Sequence, residues 1–144
     1  MIQGKWVKPG DSLAELLPLR EEIFHQGQDA LDNESWNAII YHEGVPAAIG
    51  RIWWEDGVYR IGGVGVLPQL RGRRLGDLVT RLLLFKAQQH SAREVALTCS
   101  PEVSGFFTRY GFETVSSTVD SCFMTLDALA LCLDSCQGCH HCGE

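Results

Sequence analysis

The chain has 144 residues, of which 45% are hydrophobic and 21% are charged, and its net charge is −6 at pH 7. This length and apolar content suit one compact domain with a buried core. The acidic balance argues against general nucleic-acid binding, which needs a basic surface. No apolar run reaches the length that spans a bilayer, so the sequence predicts no membrane segment.

The first residues, MIQGKWVKPGDSLAEL, lack the basic and then apolar pattern of a secretory signal peptide. We therefore expect a cytoplasmic protein. In that compartment the six cysteines would be reduced thiols or metal ligands rather than disulfides.

The first half of the chain predicts strands around one helix. GKWVK is a short strand, and Asp11 or Ser12 is expected to cap a helix with apolar residues at helical spacing as far as Ile23. HQGQDALDNES is polar and predicts a loop with a short helix. WNAIIYHEG is a strand, and VPAAIGRIWWEDGVYRIGGVGVLP is the strongest hairpin, with its turn at Glu-Asp-Gly.

The second half opens with a change of period. After Pro68 the apolar spacing is that of an amphipathic helix, which runs to about Gln89. REVALTC predicts a buried strand of the parallel kind. Pro101 opens a short helix, Gly111 ends it, and FETVSS and SCFMTL are two final strands. This order predicts an α/β fold around one central sheet.

The stretch GGVGVLPQLRGRRLGDLV, residues 62–79, joins a strand to a helix N-terminus. Free backbone amides and the helix dipole make such a junction a general anion site, and glycine lets a phosphate come close. Four arginines add positive charge: Arg71, Arg73, Arg74 and Arg81. The alternative is that the glycines only shape a turn and the arginines are solvated. The stretch lacks the Gly-Lys-Ser/Thr of a P-loop, and its strand sits in a hairpin, unlike a dinucleotide fingerprint.

Two separated motifs resemble those of the GNAT (general N-acetyltransferase) superfamily. VGVLPQLRGRRLGDLVTRLL resembles the acetyl-CoA-binding motif, a strand ending in Val-x-Pro followed by Gln/Arg-x-x-Gly-x-Gly/Ala. Val66, Pro68, Gln69 and Gly72 match it, and Arg74 departs at its last position. SGFFTRYGFETV resembles the second landmark, a short helix that ends in a Tyr-Gly-Phe-like corner. The order of predicted elements also follows the family.

The resemblance implies a mixed, mostly antiparallel central sheet flanked by helices, with a V-shaped splay between the two central strands. It implies an acetyltransferase domain over residues 1–128 and leaves residues 129–144 as a Cys/His-rich tail. A homodimer is left open.

The resemblance also implies acetyl-CoA as the cofactor. Loop and helix amides would bind its pyrophosphate, the strand would pair with the pantetheine amides, and the short helix would wall the cleft. The residues implied in cofactor binding are Val64, Val66, Arg71, Gly72, Arg73, Arg74, Leu75, Gly76, Asp77, Phe106 and Tyr110. Arg74 is expected on the first helical turn with helical dihedral angles, its guanidinium either reaching a phosphate or solvated.

The implied activity is transfer of acetyl from acetyl-CoA to a primary amine of a small molecule or a protein. Many members use a tyrosine directly after the phenylalanine of the short helix as the acid, and this chain has Phe107 there. The stretch VYRIGGVGV holds no carboxylate for the base, so we assign no catalytic acid or base. A catalytically weak acyl-CoA-binding regulatory domain, metal- or redox-responsive through its tail, is the alternative.

The acceptor is expected to meet the N-terminal part of the chain. Arg20, Phe24 and either Gln26 or Gln28 match residue types found there in a subgroup of small GNAT proteins. Two arginines of the predicted meander, Arg51 and Arg60, hint at an acidic group on the acceptor.

The tail LCLDSCQGCHHCGE holds candidate metal ligands, with thiols and imidazoles suited to zinc or an iron–sulfur cluster. The cysteines are Cys132, Cys136, Cys139 and Cys142. They come from a single segment, so a flexible, reduced tail is the alternative. Cys99 and Cys122 fall in predicted strands and are expected to be small core residues.

Overall fold

The computed structural model describes residues 1–130, and the four cysteines of the predicted metal site lie outside them. One seven-stranded sheet forms the centre. Its strands are β1 (Ile2–Val7), β2 (Trp36–His42), β3 (Val45–Glu55), β4 (Val58–Val66), β5 (Glu94–Cys99), β6 (Glu113–Ser117) and β7 (Cys122–Asp127), in the spatial order β1-β2-β3-β4-β5-β7-β6. The helices are α1 (Leu16–Phe24), α2 (Leu75–Gln89) and α3 (Ser104–Thr108).

The sheet is mixed, and all but one of its strand pairs are antiparallel. The exception is β4 with β5, which are parallel neighbours joined through α2. A parallel pair needs such a crossover because the chain must return to the same end of the sheet. The predicted mixed, mostly antiparallel sheet flanked by helices is therefore confirmed.

The two longer helices cover opposite faces of the sheet. Ile39 and Ile49 pack in one cluster with Leu16 and Leu19 of α1. Their chain neighbours, such as Ile40, belong to the other cluster, which holds the buried side of α2. Successive side chains of a strand point to opposite faces, so both faces of the central strands are apolar and buried.

Helix α1 begins at Leu16, several residues after the predicted caps Asp11 and Ser12. Pro18 explains the difference, because proline fits in the first helical turn but removes a hydrogen bond and clashes further along. The Ser12 hydroxyl instead accepts a hydrogen bond from the Ala14 amide at 3.2 Å. The helix therefore starts where Pro18 falls in its first turn.

The predicted hairpin between β3 and β4 is confirmed. Its turn residues Asp56 and Gly57 have φ of 53° and 83°, the pair of positive values that the commonest two-residue hairpin turn requires.

Within residues 1–130, no helix is long and apolar enough to cross a membrane. The same residues bring together no group of three or more His, Cys, Asp or Glu side chains able to hold a metal ion.

Candidate cofactor cleft

The centre of the sheet opens between β4 and β5. The two strands pair only at Tyr59 with Val95 and at Arg60 with Ala96, although β4 continues to Val66. Beyond Arg60 the backbone of β4 has no partner on the β5 side within the described chain. This is the predicted V-shaped splay.

A β-bulge in β4 accompanies the splay. Ile49 and Arg51 of β3 lie opposite Gly65 and Gly62, so β4 contains one residue more than β3 over this interval. Gly63 lies within this bulge and has a φ of 61°, a conformation that glycine adopts without steric cost. A bulge bends its strand, and the bend turns the end of β4 away from β5.

The splayed strands enclose a cleft of about 310 Å³. Its walls are Phe24, Ile61, Gly62, Gly63, Val64, Leu97, Thr98, Cys99, Ser100, Val103 and Phe107. The lining is mostly apolar, and its polar side chains are Thr98, Cys99 and Ser100. It includes no carboxylate, histidine or tyrosine among the described residues. Burial raises the pKa of the Cys99 thiol, as does the neighbouring Cys122.

A second pocket, of about 290 Å³, lies at the N-terminus of α2. Most of the residues implied in cofactor binding meet here. Its lining is Val66, Arg71, Gly72, Arg74, Leu75, Gly76, Asp77, Phe106 and Arg109. We call it the amide pocket because of its free backbone N–H groups.

These amides lie in the turn before α2 and in its first residues. The Leu78 amide donates to the Arg74 carbonyl at 3.2 Å, and this is where the helical ladder begins. The amides of residues 72–77 donate to no acceptor within the described chain. Free amides at the positive end of a helix dipole form an anion site.

The two motif glycines leave the amide pocket open. Gly72 has a φ of 84°, and no atom lies within 4 Å of the place where a Cβ would stand. A Cβ on Gly76 would lie 3.7 Å from a Val66 methyl and 3.8 Å from the Phe106 ring. Both contacts are ordinary, so a larger side chain at Gly76 would project between these two walls.

Arg74 does not have the helical dihedral angles that we expected. Its φ and ψ are 64° and 23°, in the left-handed region, and α2 begins at the next residue. The turn from loop to helix requires this conformation, which explains why a small residue, glycine above all, suits the motif position. The Arg74 side chain nevertheless lines the amide pocket.

The four arginines singled out in the sequence separate in the structure. Arg71 and Arg74 line the amide pocket, whereas Arg73 is exposed and does not. Arg81 is paired with Asp77 at 3.2 Å. The structure adds Arg109, whose guanidinium stacks on the Phe106 ring at 4.8 Å. Its spacing of three residues from Phe106 on the short helix was the signal available in the sequence.

Tyr110, also implied in cofactor binding, turns to Asp77. Its hydroxyl donates a hydrogen bond to the Asp77 carboxylate. Burial and this hydrogen bond raise the pKa of Tyr110 well above its ordinary value. Together Tyr110 and Arg81 satisfy the Asp77 carboxylate, which borders the amide pocket.

The segment expected to meet the acceptor lies beside the cleft. Phe24 lines the cleft and also a small cavity of about 20 Å³, room for one water molecule, which Gln26 lines as well. The Asn37 side chain borders this cavity, and its Nδ2 is buried without a hydrogen-bond partner.

The two arginines that border this segment, Arg20 and Arg51, are already paired with carboxylates. Arg20 binds Asp32 through two hydrogen bonds of 2.7 and 2.8 Å. Arg51 binds Asp29 at 2.8 and 2.9 Å. Arg60 lies 3.9 Å from Glu55 and faces the Phe123 ring. Arg20 and Arg51 are thus already bound by carboxylates, whereas the buried Nε of Arg60 has no hydrogen-bond partner within residues 1–130.

The comparison with known proteins agrees with this geometry. The sequence model of the acetyltransferase (GNAT) family matches residues 7–112. The uncharacterized N-acetyltransferase YjcF of Bacillus subtilis (strain 168) is 25% identical over 117 residues, which cover 76% of this chain and 84% of that protein.

Two solved structures show the same fold. An acyl-CoA N-acyltransferase from Pseudomonas aeruginosa has a TM-score of 0.79 at 23% identity and covers 88% of this chain and 99% of its own. N-acetylglutamate synthase from Neisseria gonorrhoeae, complexed with coenzyme A and L-arginine, has a TM-score of 0.64 at 18% identity over 88% of this chain and 33% of its own. The family match spans well over half of the chain, and the protein therefore belongs to the GNAT acetyltransferase family.

Proposed function

We propose that the protein is an N-acetyltransferase that transfers acetyl from acetyl-CoA to a primary amine of a small molecule or a protein, through a domain over residues 1–128. The observation that carries the proposal is the pair of adjoining sites on β4. On β4, Val64 lines the cleft and Val66 lines the amide pocket. On the short helix, Phe107 lines the cleft and Phe106 lines the amide pocket. A long, flexible ligand with an anionic end and an apolar end fits this arrangement.

The amide pocket suits the pyrophosphate of coenzyme A. Its free amides from Gly72 to Gly76 can donate to phosphate oxygens, and Arg71, Arg74 and Arg109 supply positive charge and paired donors. The negative charge of Asp77 is offset by Arg81, and the neutral Tyr110 hydroxyl donates a hydrogen bond to it. A complex with coenzyme A in the synthase from Neisseria gonorrhoeae supports this assignment by fold likeness.

The strand between the two sites suits the pantetheine arm. Because β4 loses its β5 partner beyond Arg60 but stays paired with β3, the backbone groups between Ile61 and Val66 that face the β5 side are available to amides of a ligand. Unpaired strand backbone binds extended ligands by adding hydrogen bonds of the sheet type. Val64 and Val66 therefore position the cofactor through their backbone.

The cleft positions the reacting groups and excludes water. Its lining residues include no side chain that would act as a general acid or base near pH 7. Bound acetyl-CoA supplies an activated thioester, which a neutral amine can attack. Thr98, Ser100 and the neutral Cys99 thiol are not bases near pH 7. We therefore expect kcat/KM to rise with pH towards the pKa of the acceptor amine, without a step from a cleft histidine or carboxylate.

The alternative, a weakly catalytic acyl-CoA-binding domain, is favoured by this same lack of an acid and a base. Release of free thiol from acetyl-CoA with a panel of amines separates the two functions. Turnover supports the transferase, and tight binding without turnover of any amine supports the regulatory domain.

The binding site is tested by Gly76→Leu, with Gly76→Ala as the matched control. The leucine side chain would fill the space between Val66 and Phe106, whereas alanine makes only ordinary contacts there. Acetyl-CoA at a hundred times its Kd should stabilise the wild type and Gly76→Ala by about 2.7 kcal/mol, and Gly76→Leu by much less. Thermal unfolding with and without acetyl-CoA measures this. Equal stabilisation of all three proteins would contradict the site.

A further inference from the structure

Two cysteines face each other at the wall of the cleft. Cys99 is the last residue of β5, Cys122 is the first of β7, and the antiparallel register places them directly opposite. Opposite residues of antiparallel strands have Cα atoms about 4.5 to 5.5 Å apart and side chains on the same face. A disulfide requires a Cα separation of about 4.4 to 6.8 Å. The register therefore gives the pair a Cα separation in the range of a disulfide.

The two thiols differ in access. Cys99 is partly exposed and lines the cleft. Cys122 lies behind it, 3% exposed, with its sulfur 3.4 Å from the Thr114 hydroxyl. The Cys99 sulfur also lies 4.0 Å from the sulfur of buried Met124. A small molecule in the cleft can therefore reach Cys99, whereas Cys122 is buried and does not line the cleft.

We propose that Cys99 and Cys122 are a redox-active pair that forms a disulfide when a hydroperoxide enters the cleft. The Cys99 thiolate attacks one peroxide oxygen, the O–O bond breaks, and the leaving oxygen departs as water, which gives a sulfenic acid. The Cys122 sulfur then attacks the Cys99 sulfur, an S–S bond forms, and the sulfenic hydroxyl leaves as a second water. Two thiols are oxidised by two electrons, and hydrogen peroxide is reduced to two water molecules.

This inference goes beyond the proposed function, because it involves neither acetyl-CoA nor an amine. It also differs from the expectation that both cysteines are merely small core residues. The disulfide withdraws the Cys99 thiol from the cleft and joins the end of β5 to the start of β7. The reaction should be faster at higher pH, since only the thiolate attacks peroxide.

The test uses the full chain, treated with hydrogen peroxide and then blocked with an alkylating agent without reduction. Cleavage after Lys and Arg and before Asp places Cys99 in residues 94–109 and Cys122 in residues 120–126, each as the only cysteine of its peptide. We expect the two peptides to be linked by a disulfide, lighter than their sum by two hydrogens, and to separate with dithiothreitol.

Two sets of variants complete the experiment. In Cys122→Ser, Cys99 should stop at the sulfenic acid, which dimedone traps, and no linked peptide should form. A chain with Ser at Cys132, Cys136, Cys139 and Cys142 should still form the link. The proposal is overturned if the Cys99 thiol is still free to be alkylated after peroxide treatment, or if Cys99 forms a disulfide with a tail cysteine instead of Cys122.

Discussion

The backbone of Arg74 carries a steric cost in the folded protein. A residue with a Cβ at φ of 64° loses about 1 kcal/mol relative to glycine, which accepts this conformation freely. The arginine side chain lines the amide pocket, so its positive charge is a candidate reason for keeping it there. Shape and charge at this position can be separated by two substitutions.

We predict that Arg74→Gly is more stable than Arg74→Ala by about 1 kcal/mol, because both remove the charge and only glycine removes the Cβ. Urea unfolding of the two proteins measures the difference. Arg73, whose φ is not positive, provides the control: Arg73→Gly should not exceed Arg73→Ala in stability. A glycine advantage of the same size at both positions would contradict the account.

Single residues could be placed at the amide pocket from the sequence where a local motif contains them, and their role in cofactor binding stays a prediction. Gly72, Gly76 and Arg71 lie in the amide pocket as the glycine-arginine motif implied. Arg109 was missed because its spacing from Phe106 indicates only that the two side chains can stack, whereas its place beside the amide pocket depends on the position of α3 relative to α2. The predicted conformation of Arg74 was wrong because this motif position was assigned to the first turn of the helix, whereas it lies in the turn before the helix.

At the scale of elements, the contact of α2 with β3 depends on a glycine. A Cβ on Gly50 would lie 2.6 Å from a Val79 methyl and 2.9 Å from a Leu83 methyl. Both side chains are fully buried, and the valine side chain is stiff, so neither can move away cheaply. Glycine inside a strand often marks such a close approach. The apolar period predicted both elements but not the distance between them.

We predict that Gly50→Ala lowers the free energy of unfolding by about 1 to 3 kcal/mol through overpacking. Adding Val79→Ala removes the closer of the two clashing methyls, so the double variant should lose at least 0.5 kcal/mol less than the sum of the single variants. Denaturant unfolding of the four proteins gives this cycle. Gly27→Ala, where no atom lies within 4 Å, is the control. Simple additivity would show that Gly50 is not a helix-packing site.

At the scale of the whole molecule, the order of strands was the harder prediction. The chain order and the two landmarks indicated the sheet and its splay by resemblance, but the place of β7 between β5 and β6 rests on long-range pairing. An ionic cluster with a buried centre at Arg20 and Asp32 is similarly non-local. It joins α1, the loop before β2, and β3 through residues distant in sequence, namely Arg20, Asp29, Asp32, Asn37 and Arg51. No short sequence motif predicts such a cluster.

This cluster should make the free energy of unfolding decrease at acidic pH. Burial raises the pKa of Asp32, but hydrogen bonds from Arg20 and the Asp29 amide, with the two guanidinium charges, lower it by more. The hydrogen bond from Arg51 lowers the pKa of Asp29. A carboxylate with a lowered pKa stabilises the fold fully above its unfolded pKa of about 4, and that contribution is lost as pH falls through the folded value.

We predict that Asp32→Asn lowers the free energy of unfolding at pH 7 by about 3 kcal/mol or more, because the buried guanidinium of Arg20 loses its charge partner. Below pH 4 the difference from the wild type should shrink, since the unfolded chain binds a proton at this carboxyl first and native Asp32, whose pKa is lowered, does so at still lower pH. Urea unfolding between pH 7 and pH 3 measures both effects. Asp120→Asn, at an exposed loop position, should change stability by less than about 0.5 kcal/mol. A deficit in Asp32→Asn that stays constant down to pH 3 would mean that packing around residue 32, and not its charge, holds these elements together.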